Sequence, residues 1–239
     1  MQPQLSPFDG VLLVDKPPGL TSHDVVDRIR RQFGFKKVGH CGTLDPAATG
    51  LLVIVLERAT KLQANLMSED KTYEGVMLLG VSTDSQDADG KVLAEKPVPA
   101  LTEADIETTF AKFRGDIQQI PPMVSAIKHE GTPLYKLARK GKTIEREPRL
   151  VHIYDFRLLN LELRRVHFRV ACTKGTYVRT LCHDIGETLG CGAHLADLRR
   201  TRSGKFDVKD AKPLAELLQL RREQLQPLVI PILKLLQPI

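Results

Sequence analysis

The sequence contains no tryptophan, only four cysteines and no long apolar run. Four scattered cysteines in a chain of 239 residues are too few for a disulfide framework, which excludes a disulfide-stabilised secreted scaffold. No apolar stretch approaches the roughly 18 residues that cross a bilayer, and the polar, proline-containing start is unlike a signal peptide. We therefore expect a soluble, cytoplasmic protein without a membrane partner.

Metal-binding patterns are also missing. The pairs Cys182–His183 and Cys191–His194 match no zinc-ligand spacing, and a cysteine beside a histidine is more often ordinary packing. The acidic loop at 82–90 has the alternating acids of a calcium loop, but no glutamate occupies the later ligand position. We expect no bound metal.

Apolar patterns predict both strands and helices, in a chain long enough to bury its own core. The β-rich run 51–56 predicts a buried strand. Thr21 and Asp24 have the spacing of a capping box, which predicts a helix that ends at Gly34. Further strands are predicted at 11–14, 71–80, 151–163, 166–172 and 193–202, and further helices at 102–113, 134–140, 174–189 and in the tail at 213–239.

One loop combines three glycines with an aspartate that is followed by a proline, Asp45-Pro46. It spans 39–50 and comes directly before the predicted buried strand, so the sheet would fix it in space. Pro46 restricts Asp45 to extended backbone angles. Asp-Pro pairs usually form simple turns, and this stretch alone does not distinguish such a turn from a catalytic carboxylate.

The net charge of +6 is unevenly distributed. Residues 128–169 contain 11 Lys and Arg against 5 Asp and Glu, whereas residues 69–107 contain 3 against 10. This separation favours nucleic acid as a partner. Basic residues of the segment 128–149 surround Tyr135, a combination suited to RNA phosphates and a stacked base. A solvated basic hairpin without a ligand is the alternative.

Six segments occur in a fixed order along the chain. They are VDKP (14–17), GHCGTLDP (39–46), KTY (71–73), KGTYVR (174–179), CGAHL (191–195) and LRR (198–200). In these segments the chain resembles the tRNA pseudouridine-55 synthases, the TruB family, from about residue 10 to residue 206. The basic segment 128–149 is similar to the RNA-gripping insertion of that family.

The resemblance implies an α+β fold with a mixed, mostly antiparallel central sheet flanked by helices. Many members of the family also have a small C-terminal RNA-binding domain of the PUA type, which we do not expect within this chain. The resemblance implies a single catalytic domain, with its core at about 10–206, the basic insertion at 128–149 and a helical tail at 213–239. It implies isomerisation of uridine 55 in the T loop of tRNA, without cofactor or metal. We expect a monomer that needs no protein partner.

By the same resemblance, Asp45 is the nucleophile and attacks either C6 of the uracil or C1′ of the ribose. Arg179 would pair with this carboxylate, and Tyr73 would stack on the base and help to remove the C5 proton. The implied substrate contacts are His40 where the flipped nucleotide has left the stack, Tyr177 and Leu198 around the base, Lys16 as a fold or phosphate residue, and Lys128, Arg139 and Arg146 on the RNA backbone.

Several alternatives stay open. The two tyrosines could be ordinary core residues, and Arg179 could pair with another acid. Guide-RNA-dependent relatives that modify ribosomal RNA share the GTLDP core but depend on partner proteins, whereas the basic insertion favours self-sufficient tRNA binding. A tRNA-folding module with incidental catalysis is a third possibility, which an Asp45→Asn variant would separate from an enzyme.

Overall fold

The structure is a computed structural model that describes residues 5–125, 128–129, 131–138, 141–142 and 144–235. The chain divides into two compact units. The first consists of Met1–Tyr73 together with Arg199–Ile239, and the second is Glu74–Leu198. No helix within the described ranges is long and apolar enough to cross a membrane.

Strands and helices are interspersed along the chain. The strands are β1 (Gly10–Lys16), β2 (Val38–His40), β3 (Thr49–Leu56), β4 (Lys71–Leu79), β5 (Val81–Thr83), β6 (Val92–Glu95), β7 (Gly115–Gln119), β8 (Lys128–His129), β9 (Thr132–Pro133), β10 (Arg149–Glu162), β11 (Arg165–Cys172), β12 (Ala193–Ser203), β13 (Phe206–Asp207), β14 (Lys212–Pro213) and β15 (Ile230–Pro231). The α-helices are α1 (Ser22–Phe33), α2 (Gln63–Met67), α3 (Glu103–Ala111), α4 (Leu134–Ala138), α5 (Val178–Thr188), α6 (Leu214–Leu217), α7 (Arg222–Leu225) and α8 (Ile232–Leu235). The 3-10 turns are Glu57–Leu62, Val208–Asp210 and Gln226–Leu228.

Strands β1 and β3 form the centre of the first unit. They pair antiparallel, from Gly10 opposite Leu56 to Lys16 opposite Gly50. Apolar side chains cover both faces of this pair, with helix α1 on one face and a cluster around Cys41 and Phe206 on the other. A strand that is buried on both faces shows no polar alternation. This explains the continuous apolar run 51–56 and confirms the predicted buried strand.

Helix α1 begins with the predicted capping box. The Thr21 hydroxyl accepts a hydrogen bond from the Asp24 amide, and the Asp24 carboxylate accepts one from the Thr21 amide. The helix ends at Gly34, whose φ of 64° lies in the left-handed region that glycine adopts without strain. Because this helix packs on the β1–β3 sheet, its first residue, Ser22, is fixed relative to that sheet.

Strand β12 adds to the other side of β3. It runs parallel to β3, with Arg199 opposite Thr49 and Arg200 opposite Gly50. The remaining partners in the first unit are β14 and β15 beside β1, β2 beside β3 and β13 beside β12. This register places a buried arginine of β12 next to the residues where β3 begins.

The second unit is built on the long strand β10. Strand β10 pairs antiparallel with both β11 and β7. Its Phe156 stacks on Phe110 of helix α3, with ring centroids 3.9 Å apart, and meets Phe168 of β11 edge-on at 5.5 Å. Stacked and edge-on aromatic pairs stabilise a core beyond the area they bury.

The sheet is mixed and mostly antiparallel. The strand order is β14-β1-β3-β12 in the first unit and β12-β4-β11-β10-β7 in the second, and β4 and β12 contain residues of both. With helices alongside, this is the predicted α+β fold. The tail is a series of short helices, α6 to α8, because prolines at 213, 227 and 231 interrupt any longer one.

Candidate active site

The loop that carries Asp45 has no regular secondary structure, yet every backbone carbonyl from Gly42 to Pro46 accepts a hydrogen bond. The donors are Arg200 for Gly42 (3.0 Å) and Thr43 (3.5 Å), the Ser22 hydroxyl for Leu44 (3.2 Å), the Ala48 amide for Asp45 (3.1 Å), and the Gly19 amide and Lys16 for Pro46 (2.8 and 3.0 Å). Peptide groups fixed on each side leave the half-buried Asp45 little backbone freedom. The loop is therefore preorganised around its carboxylate.

Ser22 holds the loop from helix α1. Its hydroxyl accepts a hydrogen bond from the Leu44 amide at 2.8 Å and donates to the Leu44 carbonyl at 3.2 Å. Ser22 is almost fully buried, so water does not compete for these bonds. One side chain thus satisfies both polar backbone groups of the residue that precedes Asp45.

Lys16 holds the loop from strand β1. The side chain is completely buried, and its ammonium donates to the carbonyls of Pro17 (2.9 Å), Leu20 (2.7 Å) and Pro46 (3.0 Å). Burial lowers the pKa of Lys16 to about 8, an effect that the nearby charge of Asp45 opposes. All three N–H donors bind backbone. Of the two predicted roles, the geometry supports the fold role.

Two more cations, Arg200 and Lys71, lie buried next to Gly42. A Cβ atom at Gly42 would come 3.3 Å from the Arg200 guanidinium and 3.6 Å from Cε of Lys71. Burial, together with the charge of Arg200, lowers the pKa of Lys71 to about 8. Burial also raises the pKa of the neighbouring Cys41 thiol to about 12, although both cations oppose that rise. Cys41 therefore stays protonated and serves as a packing residue.

His40 ends strand β2 and begins the same loop. Its side chain is half-buried, and Nδ1 has no hydrogen-bond partner within the described part of the chain. Burial lowers the pKa of His40, and the charges of Arg200 and His23 lower it further. A neutral imidazole is suited to stacking on a base, which is the predicted role, rather than to binding a phosphate.

Tyr73 lies on strand β4, in the same unit as Asp45 and His40. The ring is half-buried. The preceding residue, Thr72, is tied to strand β12 because its carbonyl accepts a hydrogen bond from the Thr201 hydroxyl at 3.3 Å. The first unit therefore supplies four of the predicted site residues, Lys16, His40, Asp45 and Tyr73.

In the second unit, the backbone of Tyr177 is held by a side-chain amide. Gln119, buried at the end of strand β7, accepts from the Tyr177 amide at 3.0 Å and donates to the Tyr177 carbonyl at 3.2 Å. The side-chain amide of Gln119 thereby satisfies both polar backbone groups of Tyr177, the N-cap residue of helix α5, as a neighbouring strand would. Tyr177 itself is half-buried.

Arg179 lies in the first turn of helix α5 and is only 4% exposed. Its guanidinium forms an ion pair with the Asp87 carboxylate at 3.2 Å and donates to the carbonyls of Ser85 (3.2 Å) and Val124 (2.9 Å). A positive charge at a helix N-terminus is unfavourable next to the helix dipole, and the carboxylate of Asp87 compensates for it. The pairing of Arg179 with Asp45 stays a prediction.

The loop that carries Asp87 is itself tightly anchored. The other carboxylate oxygen of Asp87 accepts from the Ser85 hydroxyl and from the Asp89 amide. Gln86, with a φ of 66°, accepts from the Thr180 hydroxyl at 2.8 Å. The loop at 82–90 is therefore a support for Arg179. Among the residues the structure describes, no group of three or more His, Cys, Asp and Glu side chains forms a metal-binding cluster.

The remaining predicted residues have simpler positions. Leu198 is half-buried on strand β12. The Arg146 guanidinium donates to the Pro121 carbonyl at 3.0 Å, and its Nε has no partner among the described residues. The backbone of Lys128 lies in strand β8, while its side chain and the whole of Arg139 lie outside the described residues.

Four supporting residues escaped sequence reasoning: Ser22, Asp87, Gln119 and Arg200. Each acts on a partner far away in the chain, at separations of 22, 92, 58 and 158 residues. Only Asp87 had a signal in the sequence, because an arginine in the first turn of a helix is unfavourable next to the helix dipole and calls for a carboxylate nearby. That signal did not identify which acid pairs with Arg179.

Two family models match the chain. The model described as "TruB family pseudouridylate synthase (N terminal domain)" matches residues 30–178, and the "tRNA pseudouridylate synthase B C-terminal domain" matches residues 179–237. The chain is 54% identical to the tRNA pseudouridine synthase B of Opitutus terrae, over 94% of this chain and 93% of that protein. It is 48% identical to the protein of the same name from Chromohalobacter salexigens, over 95% and 74%.

A solved structure is also similar. A chain in the crystal structure of a Cbf5-Nop10-Gar1 complex superimposes with a TM-score of 0.74 and 33% sequence identity. The match covers 94% of this chain and spans 60% of the length of that one.

Proposed function

Because the chain belongs to the TruB family of pseudouridylate synthases, we propose that it isomerises a uridine of tRNA, position 55 in the T loop, to pseudouridine. The names of its relatives from Opitutus terrae and Chromohalobacter salexigens support tRNA as the substrate. The observation that carries the proposal is the loop in which every carbonyl from Gly42 to Pro46 is hydrogen-bonded around Asp45.

In this proposal Asp45 is the nucleophile. Whether it attacks C6 of the uracil or C1′ of the ribose, the carboxylate must be ionised and fixed in position. Lys16 supplies a buried positive charge near it, which stabilises the ionised form. The N1–C1′ bond then breaks and the base turns. C5 bonds to C1′ and loses its proton, N1 gains a proton, and the bond between Asp45 and the substrate breaks, which frees the carboxylate.

The other predicted residues complete the proposed site. Arg179 is the charge partner of Asp45, and Tyr73 stacks on the uracil and takes part in removal of the C5 proton, directly or through water. Tyr177 and Leu198 contact the base, and His40 stacks where the nucleotide has flipped out. Lys128, Arg139 and Arg146 of the insertion contact RNA phosphates.

We also propose that the protein works as a cytoplasmic monomer without a bound metal, cofactor or protein partner. Its functional organisation is then one catalytic domain, with the core at about 10–206, the insertion at 128–149 and the tail at 213–239.

Release of tritium from C5-labelled uridine in an unmodified tRNA transcript tests the proposal, because formation of the C5–C1′ bond expels that hydrogen. We expect the wild type to release about one equivalent per tRNA, in keeping with a single target uridine. Asp45→Asn, which is nearly isosteric but not nucleophilic, should release none and still bind tRNA. Wild-type protein that binds tRNA tightly but releases no tritium would refute the enzyme and favour a tRNA-folding module.

A second candidate is a guide-RNA-dependent synthase, because a structural relative occurs in a complex of Cbf5 with Nop10 and Gar1. The same assay separates the two candidates. A self-sufficient enzyme modifies a tRNA transcript alone, whereas a guide-dependent enzyme requires an added guide RNA and partner proteins.

A further inference from the structure

Arg200 is the largest fully buried side chain of the described residues, with 1% of its surface exposed. Its Nε donates to the Leu51 carbonyl at 2.7 Å, and its two terminal nitrogens donate to the carbonyls of Gly42 (3.0 Å) and Thr43 (3.5 Å). Among the described residues, no carboxylate forms an ion pair with it. A buried guanidinium without a counter-ion is costly, so its position calls for a reason.

The three acceptors suggest that reason. Leu51 belongs to strand β3, whereas Gly42 and Thr43 belong to the loop that leads to Asp45. One rigid, planar fork thus joins the sheet to the loop, a geometry that a flexible ammonium does not reproduce.

Two glycines are required by the same arrangement. Gly42 has a φ of 108°, and a Cβ there would come within 3.3 Å of the Arg200 guanidinium. Gly50 has a φ of 96°, and its Cβ would come 2.3 Å from the Arg200 carbonyl oxygen. The loop is therefore shaped around this residue at both ends.

We propose that Arg200 is a positioning residue of the reaction, which sets the path of the Gly42–Thr43 backbone and through it the position of the Asp45 carboxylate. The inference rests on the proposed function. A displacement of a reacting group by about 1 Å can cost 100-fold in rate, so loss of the fork should slow the chemical step far more than tRNA binding.

Arg200 also acts on the titratable groups that face it. These groups are Lys16 on β1, His40 on β2, Cys41 on the loop and Lys71 on β4. Lys16 in turn faces the carboxylates of Asp45 and Asp24, and Lys71 faces Glu69 and Asp70. The positive charge of Arg200 lowers the pKa of both lysines, so its removal should raise them. A residue with a purely structural role would leave the pH profile unchanged.

The test compares Arg200→Met and Arg200→Lys with the wild type. Arg202→Met is the matched control, since Arg202 lies on the same strand but is exposed. For each protein we would measure the single-turnover rate of tritium release at saturating tRNA between about pH 7 and 10, the Kd for tRNA and the melting temperature. The pH range brackets the lowered lysine pKa values.

We expect Arg200→Met to lose about 100-fold in single-turnover rate while the Kd changes less than about twofold. We expect the wild-type rate to fall at alkaline pH as the buried lysines lose their protons. In Arg200→Met the midpoint of this fall should move to higher pH by a measurable fraction of a pH unit. Arg200→Lys keeps the charge, so its rate should fall without a shift of the pH profile. If Arg200→Met fails to fold, Arg200→Lys still tests whether the guanidinium is needed for the rate. Arg202→Met should match the wild type.

Wild-type rates in both Arg200 variants would overturn the proposal. A loss of rate that follows only the unfolded fraction, with an unmoved pH profile in Arg200→Met, would also overturn it, because that result describes a structural residue. If the wild type itself releases no tritium from tRNA, the proposed function fails and the Arg200 proposal fails with it. An active wild type with equally active variants refutes the Arg200 proposal alone.

Discussion

Raising the pH above about 8 should stabilise the fold and slow the reaction at the same time, because of Lys16. Burial lowers the pKa of Lys16 from its ordinary 10.5 to about 8. Between these two values the folded protein has released the proton that the unfolded chain still holds. Since the unfolded state then binds more protons, the free energy of unfolding rises with pH across this window.

The magnitude follows from the size of the shift. A pKa difference of about 2.5 units corresponds to ~3 kcal/mol between the two protonation states. Lys71, whose pKa is also lowered to about 8, contributes in the same direction and the same window. Below pH 8 both lysines are charged in the folded and in the unfolded state, so the free energy of unfolding does not change with pH there on account of these two groups.

The reaction responds in the opposite direction. A neutral Lys16 has one N–H fewer for its three carbonyl partners, one of which is Pro46, next to the proposed nucleophile Asp45. It also no longer places a positive charge near Asp45. The single-turnover rate, measured at a saturating concentration of tRNA, should therefore fall as pH rises through about 8.

Urea unfolding and single-turnover tritium release, measured on the same samples between about pH 7 and 10, test both halves of this prediction. Lys16→Met removes one titrating group, so its stability should rise less steeply over the window than that of the wild type. A wild-type stability that is flat or falls between pH 8 and 10, with the same curve in Lys16→Met, would refute the reasoning.

Two more predictions concern the second unit. Asp87→Asn removes the ion pair between Asp87 and the buried Arg179, so the free energy of unfolding should fall by ~1–3 kcal/mol and tritium release should slow, whereas the exposed Asp89→Asn should do neither. Equal effects of the two variants in urea unfolding and rate assays would contradict the role of the Arg179–Asp87 pair. Reversing Lys136, Arg139 and Lys140 to Glu should weaken tRNA binding and reduce the slope of log Kd against log salt by about 3, while reversing the exposed Lys91, Lys96 and Lys112 should not. An unchanged slope would show that the insertion does not contact phosphates.

Local signals in the sequence predicted much of the fold. The capping box at Thr21 and the apolar run of β3 both depend on residues a few positions apart, and both are confirmed. The Asp45 loop was identified from its residues and its resemblance to a family. The contacts that hold the loop were not, because Ser22 and Arg200 reach it from 22 and 158 positions away, and no local pattern encodes such a partner.

The donors that hold the Asp45 loop also determine when the loop is complete during synthesis. Lys16 and Ser22 emerge from the ribosome before the loop, but Arg200 follows only after the whole of the second unit, Glu74–Leu198, has been made. A nascent chain that ends before strand β12 therefore contains Asp45 and lacks the residue that fixes its loop to the sheet. The second unit is continuous in sequence and can fold first, whereas the first unit closes only when the chain returns to it. Translation itself thus delays assembly of the site until nearly all of the chain exists.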